Sequence, residues 1–204
     1  MVNKYFSFGS AFITIGLLIQ VVTYFFADSS FLSLISGVCG VISVVLCSQK
    51  KIHFYTFGFI QLFTYVYLCW EQKLYAEIAE NAFYFITMLY GIYEWNNHLS
   101  SDRVETKSLG INRYIVAGVT ICACGGLWSI LHNTNDSQPF MDSVTTVPAF
   151  VAQILMIMRY KDSWYYWLTI DLGSIVMWGI AGDWCMVAQF VFWSVNCIYG
   201  LRKW

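Results

Sequence analysis

Charge is scarce in this sequence: Asp, Glu, Lys and Arg together make up 11% of 204 residues, against roughly a quarter in an ordinary soluble domain. The net charge of −1 leaves no basic footprint for a nucleic-acid partner. Proline occurs twice and glycine 14 times, which excludes a low-complexity or disordered chain. H-E-x-x-H, G-x-S-x-G and phosphate-cradling glycine loops are all missing. Seven cysteines are present, but Cys39, Cys47, Cys69, Cys122, Cys124, Cys185 and Cys197 all fall in or beside apolar runs. Only Cys122 and Cys124 lie close together, without the spacing of a zinc site. Small buried hydrophobes is the reading that fits them, and neither metal nor cofactor is expected. Period-two alternation never persists, so no strand is expected either.

What the chain has is apolar length. Hydrophobic residues reach 58% and aromatics 19%, with nine Trp and 14 Tyr. A soluble fold of this size could not hide so much apolar surface, so the excess faces lipid. A spanning helix needs about 20 mostly apolar residues, and eight such stretches can be drawn: Ser7–Ala27, Phe31–Cys47, Phe54–Trp70, Leu74–Trp95, Tyr114–Leu131, Phe140–Met158, Trp164–Ala181 and Trp184–Leu201. The first lacks the small residues of a signal-peptide cleavage site, since Phe25 stands where one is needed. It reads as a retained helix. The one soluble-looking connection runs from Asn96 to Arg113.

The basic residues test the count. Assigning connections alternately to two sides collects Lys4, Lys50, Lys51, Arg103, Lys107, Arg113, Arg159, Lys161, Arg202 and Lys203 on one side. That is ten of the 11 Lys and Arg, with Lys73 alone on the other. The positive-inside rule then predicts both termini in the cytoplasm.

The sequence also repeats. Asp28-Ser29 precedes the second helix and Asp136-Ser137 the sixth; Trp70 and Trp178 are likewise 108 apart. Tyr90-Gly91 with Trp95 recurs as Tyr199-Gly200 with Trp204 at an offset of 109, so a one-residue insertion is expected just after Trp70 and Trp178. The expected fold is an all-α integral membrane protein of about eight transmembrane helices, a single transmembrane domain over 1–204. An extra helix at 7–27 precedes a three-helix repeat at 28–95. A connector loop and linker helix at 96–131 lead to a second repeat at 136–204. One joining helix makes the repeats parallel (3+1+3), a transporter architecture with substrate near the midplane between halves.

Polar groups at membrane depth face the bundle interior or a cavity. Asp171, mid-way along the seventh helix, shares a face with Trp164, Trp167, Ser174 and Trp178. An acid with a tryptophan stripe suits a flat organic cation; a protonated Asp joining helices, with Trp as interfacial belt, suits the pattern equally. Trp164, near its helix end, reads as belt. In the eighth helix Gln189, Trp193, Asn196 and Tyr199 share a broad face; an amide there offers donors and an acceptor to hydroxyls or a carboxamide, or simply an interhelical hydrogen bond. Asn81 and Tyr84 share a face of the fourth helix with Glu77, which reads as a solvated vestibule acid. Gln61 and Gln153 lie midway along their helices as cavity candidates. Asp142 suits the positive end of its helix dipole, and His53, His98 and His132 read as solvated.

The segment Leu74-Tyr75-Ala76-Glu77, followed by Tyr90-Gly91 and Trp95 and matched by Tyr199-Gly200 and Trp204, resembles the bacterial nicotinamide riboside transporter family, PnuC. The resemblance covers residues 28 to 204, and that family is similar in turn to the sugar-transporting SWEET proteins. It implies facilitated diffusion of nicotinamide riboside, a vitamin B3 form feeding NAD synthesis, across the inner membrane. Two repeats would rock around a central site, and cytoplasmic phosphorylation would trap the solute. It also implies a homotrimer in the lipid bilayer and no enzyme activity. The alternatives are a carrier of another vitamin, nucleoside or sugar or, from another class, a membrane-embedded enzyme or receptor subunit. Repeat symmetry sets Asp171 against Phe63 and Asn196 against Thr87, so the second unit is expected to supply most polar contacts.

Overall fold

The computed structural model describes residues 2–26, 30–71, 75–134, 139–181 and 184–204, without the side chains of 2–8, 75–77, 177–178, 181 and 184–186. Eight α-helices run through the described residues: α1 (Val2–Phe26), α2 (Phe31–Ser48), α3 (Phe54–Glu71), α4 (Tyr75–Asn96), α5 (Asn112–Leu131), α6 (Pro139–Ile157), α7 (Ser163–Ala181) and α8 (Trp184–Lys203). Their ends lie within three residues of the sequence expectation, except that α1 begins at Val2 instead of Ser7. At 18 to 25 residues they are about 27–38 Å long, enough for a hydrocarbon core of about 30 Å.

Four of them, among the described residues, combine that length with a strongly apolar run: Gly9–Phe26, Phe31–Ser48, Asn112–Leu131 and Pro139–Ile157. The other four dilute it with Trp, Tyr, Gln, Asn and acids. Large side chains on outer faces are bare, among them Ile86 (66% exposed) and Ile121 (72%), as lipid requires and water would not tolerate.

The chain divides into two compact units, residues 1–105 and 106–204. In the first, α2 begins at Ser30, whose side chain accepts from the Ser33 amide, and turns a face of small buried residues (Ser36, Gly40, Ser43, Cys47) toward α3. Small residues let backbones approach: the Ser43 hydroxyl reaches the Phe54 carbonyl at 3.0 Å. Helix α1 packs on α2 with Gln20 lying directly over Gly37. In the second unit α6 starts with Pro139, suited to a first helical position, and carries Asp142 in its first turn.

The connections α2–α3 and α6–α7 have the same geometry. Lys50 and Arg159 both adopt positive φ, 64° and 66°. Lys50 N donates to Cys47 O and Arg159 N to Met156 O; Lys51 N donates to Leu46 O and Tyr160 N to Leu155 O. Each pair is 109 residues apart. Burial along α3 and α7 follows the same offset: Leu62 and Asp171 are buried, while Phe63 and Leu172 are 58% and 53% exposed. Asp171 is therefore matched by Leu62, not by Phe63. The one-residue difference falls before these turns, and the spacing of Trp70 and Trp178 does not mark it.

The Asn96–Arg113 connection is more ordered than a solvated loop. Two short strands, β1 (Leu99–Ser100) and β2 (Arg103–Val104), pair antiparallel around Ser101, whose φ of 58° suits the tight turns of hairpins. Buried Val104 donates its amide to the Lys50 carbonyl at 3.0 Å within the first unit. Within the second, Lys107 donates to the Arg159 carbonyl at 2.9 Å and accepts from the Lys161 amide. Burial, and then Arg103, hold the Lys50 ammonium below its ordinary pKa.

Candidate functional site

Helices α7 and α8 pack closely as an αα-hairpin. A side-chain bond joins them at membrane depth: the Cys197 thiol donates to Asp171 Oδ2 at 3.3 Å, with both residues 4% exposed. Helical spacing builds a site around it. Trp167 lies one turn before Asp171 and buried Ser174 one turn after, on the same face. Trp193 lies one turn before Cys197, and Asn196, adjacent to it, is 2% exposed. Because the helices run antiparallel, Trp167 and Trp193 fall about a turn to opposite sides of the Asp171–Cys197 bond.

Both indole N–H groups, Trp167 Nε1 and Trp193 Nε1, are buried with no acceptor in the described structure. A buried donor left unmade costs about 1–3 kcal/mol, so each is a donor that a ligand acceptor would satisfy. The Trp193 ring is held edge-on by Phe190, 5.1 Å away. Two N–H donors, a carboxylate, an amide and indole faces can together bind a small planar ligand bearing positive charge and hydroxyl or amide groups.

The remaining candidates distribute as follows. Gln189 is half-buried earlier on α8, and Gln153 on α6 is 8% exposed. Tyr199 lies near the basic end of α8, with the Lys203 ammonium 5.7 Å from its ring. The side chains of Trp178 and Glu77 lie outside the described residues. In the first unit Gln61 is half-buried against Gly40, where a Cβ would be 3.4 Å from its amide carbon. Asn81 is 8% exposed, and the Tyr84 hydroxyl donates to Glu80 one turn away on the same helix. Among the described residues no three His, Cys, Asp or Glu side chains gather as metal ligands.

Trp164 departs from the expectation. It is not a belt residue: 2% exposed, it meets Trp204 edge-on at 5.4 Å and 89°, because Gly200 leaves room for its ring. Tyr55 meets Trp95 in the same way, at 5.6 Å and 83°, again 109 residues earlier.

Two residues had no signal pointing to them. Cys197 reads as one small hydrophobe among seven, and only α7–α8 packing makes it the partner of Asp171. Asp162, in a turn, is 2% exposed; its Oδ2 accepts from the Leu109 amide at 2.8 Å and the Ser108 hydroxyl at 3.2 Å, fixing the start of α5.

Three relatives named nicotinamide riboside transporter PnuC align with the chain. That of Neisseria mucosa is 28% identical over 200 residues, covering 91% of this chain and 76% of its own. The Haemophilus influenzae protein is 28% identical over 192 residues, with 91% and 84% covered; that of Escherichia coli is 25% identical over 205, with 87% and 86% covered. A crystal structure of the vitamin B3 transporter PnuC superposes with a TM-score of 0.80 at 27% identity, over 97% of this chain and 90% of that one. A family model described as nicotinamide mononucleotide transporter matches residues 30–204. On that match, across nearly the whole run of helices, the chain belongs to the nicotinamide mononucleotide transporter family.

Proposed function

We propose that the chain carries nicotinamide riboside across the bacterial cytoplasmic membrane by facilitated diffusion, supplying NAD synthesis. The observation that carries this reading is the pair of acceptor-less indole N–H groups of Trp167 and Trp193 flanking buried Asp171. A pyridinium ring supplies the cation for Asp171 and a face for indole; its carboxamide and ribose supply acceptors for the two N–H groups and partners for Asn196. Gln153 and Gln189 in the second unit, and Gln61, Asn81 and Tyr84 in the first, are further contacts on this reading.

The family's description names a phosphorylated nucleotide, while the relatives' names give the riboside. The riboside is favoured here. Among the described residues every Lys and Arg stands in a connection or near a helix end, so a phosphate at membrane depth would meet Asp171 without the guanidinium or ammonium that phosphate recognition calls on. We propose further that both termini are cytoplasmic, on the basic-residue bias, and that the protein is a homotrimer. The recurring turn geometry supports two three-helix repeats, 28–95 and 136–204, joined through 96–131. Inward flux is then drawn by phosphorylation in the cytoplasm.

Purified protein in liposomes is expected to fill with labelled nicotinamide riboside only to the outside concentration. Excess unlabelled riboside should abolish the signal and the mononucleotide should not. Accumulation above the outside level would replace diffusion with ion coupling, and preferential competition by the mononucleotide would overturn the choice of substrate.

A further inference from the structure

Helix α5 is poorly covered by its own chain. It packs chiefly on α6, and Thr120 is its one buried residue. A cavity of about 650 Å³ runs beside it, lined by Ala117, Ile121 and Gly125 of α5, Val144 and Pro148 of α6, and Tyr165 of α7. Arg113 and Trp128 also line it, about 22 Å apart along the helix.

The lining is almost entirely carbon, and within a bilayer such a groove does not stay empty. The groove runs along α5 for about 22 Å, room for an extended hydrocarbon chain lying beside the helix.

The Arg113 end carries the matching charge. Arg113 is partly exposed and approaches Asp162 only at 3.8 Å. Its Nε donates to the Gly110 carbonyl at 2.8 Å, and its terminal amino groups make no hydrogen bond among the described residues. Lys107 and Lys161 lie in the adjoining turns, and the acid beside Arg113 is Asp162, whose Oδ2 is already committed to Leu109 and Ser108. The rim is net positive and borders exposed Tyr114 and Tyr165, ring types that favour headgroup depth.

We propose that this groove seats one acyl chain of an anionic phospholipid, with the Arg113 guanidinium holding the phosphate. The lipid completes the packing of α5 against α6 and α7.

The test uses the whole protein in phosphatidylcholine vesicles with trace spin-labelled phosphatidylglycerol or spin-labelled phosphatidylcholine, reading the motionally restricted fraction by electron spin resonance. The wild type should restrict the glycerol lipid preferentially. Arg113→Gln should reduce that preference about fivefold, the scale of one basic side chain at an anionic surface. Gly125→Leu, where a new Cβ meets nothing within 4 Å, should lower the restricted fraction of both lipids. Gly126→Leu is equally open but off the groove and should not. Ala117→Phe blocks the same groove two turns nearer Arg113 and replaces Gly125→Leu if circular dichroism finds that variant unfolded. Equal restriction of the two lipids by the wild type, or the same result from the 125 and 126 variants, would overturn the proposal. So would efficient cross-linking between copies of a Gly125→Cys variant, which would put a second chain in the groove.

Discussion

Lys50 and Arg159, 109 residues apart, hold the same left-handed backbone conformation at φ 64° and 66°. Neither is glycine, although this region costs an ordinary residue about 1–2 kcal/mol. Both residues therefore carry strain for the sake of a turn, and in both the carbonyl is taken by an amide of the Asn96–Arg113 connection within its own unit. The connection is fastened to each unit at the same element.

At Lys50 the backbone cost can be separated from the side chain. Lys50→Gly is expected to be more stable than Lys50→Ala by about 1 kcal/mol, measured as thermal unfolding in detergent. Equal stability of the two would show that the turn relaxes.

Gly200 lies against the Trp164 indole so closely that a Cβ there would be 2.5 Å from the ring. Gly200→Ala is expected to lose about 1–3 kcal/mol by overpacking. Gly179→Ala, with nothing within 4 Å of the new atom, serves as control and should unfold like the wild type apart from the small helix-propensity gain of alanine.

Replacing Trp193 or Trp167 with Phe keeps a ring and deletes an N–H. Each change should weaken nicotinamide riboside binding by about 1 kcal/mol, roughly fivefold in Kd. Asn196→Ala should cost at least as much. Calorimetric titrations superimposable on the wild type would remove those residues from the site.

Asp171→Asn is close to isosteric and removes the charge. It should weaken cationic nicotinamide riboside more than its uncharged dihydro form, and a ratio of affinities identical to the wild type's would mean the acid only joins α7 to α8. Cys197→Ala, which removes the thiol donor to Asp171, should shift both affinities together.

Asp162 organises the start of α5 through two donors. Asp162→Ala leaves the Leu109 amide without its acceptor and should destabilise by about 1–3 kcal/mol. Hydrogen exchange at residues 108–113 should rise first. Protection equal to the wild type there would show that another group holds the segment.

Hydrophobic length by itself determined the eight helices, since a bilayer demands about 20 apolar residues whatever the neighbours are, and the recurring Tyr-Gly and Trp positions are the ground for the proposed repeats. The polarity of Asp171 and Asn196 at membrane depth was equally plain, because such residues are costly in lipid wherever the helix turns. What followed depended on which helix face met which. Trp164 looks like a belt residue from its place near a helix end, yet Gly200 opens a slot on the opposite helix and buries it. Cys197 has no chemistry in the sequence until α8 lies against α7. The matching of Asp171 with Leu62, the groove beside α5 and the fastening of the connection to two turns were likewise decided only by tertiary structure. Spacing along the chain fixes the angle of a side chain about its own helix axis, but the partner across the gap is set by packing between helices distant in sequence.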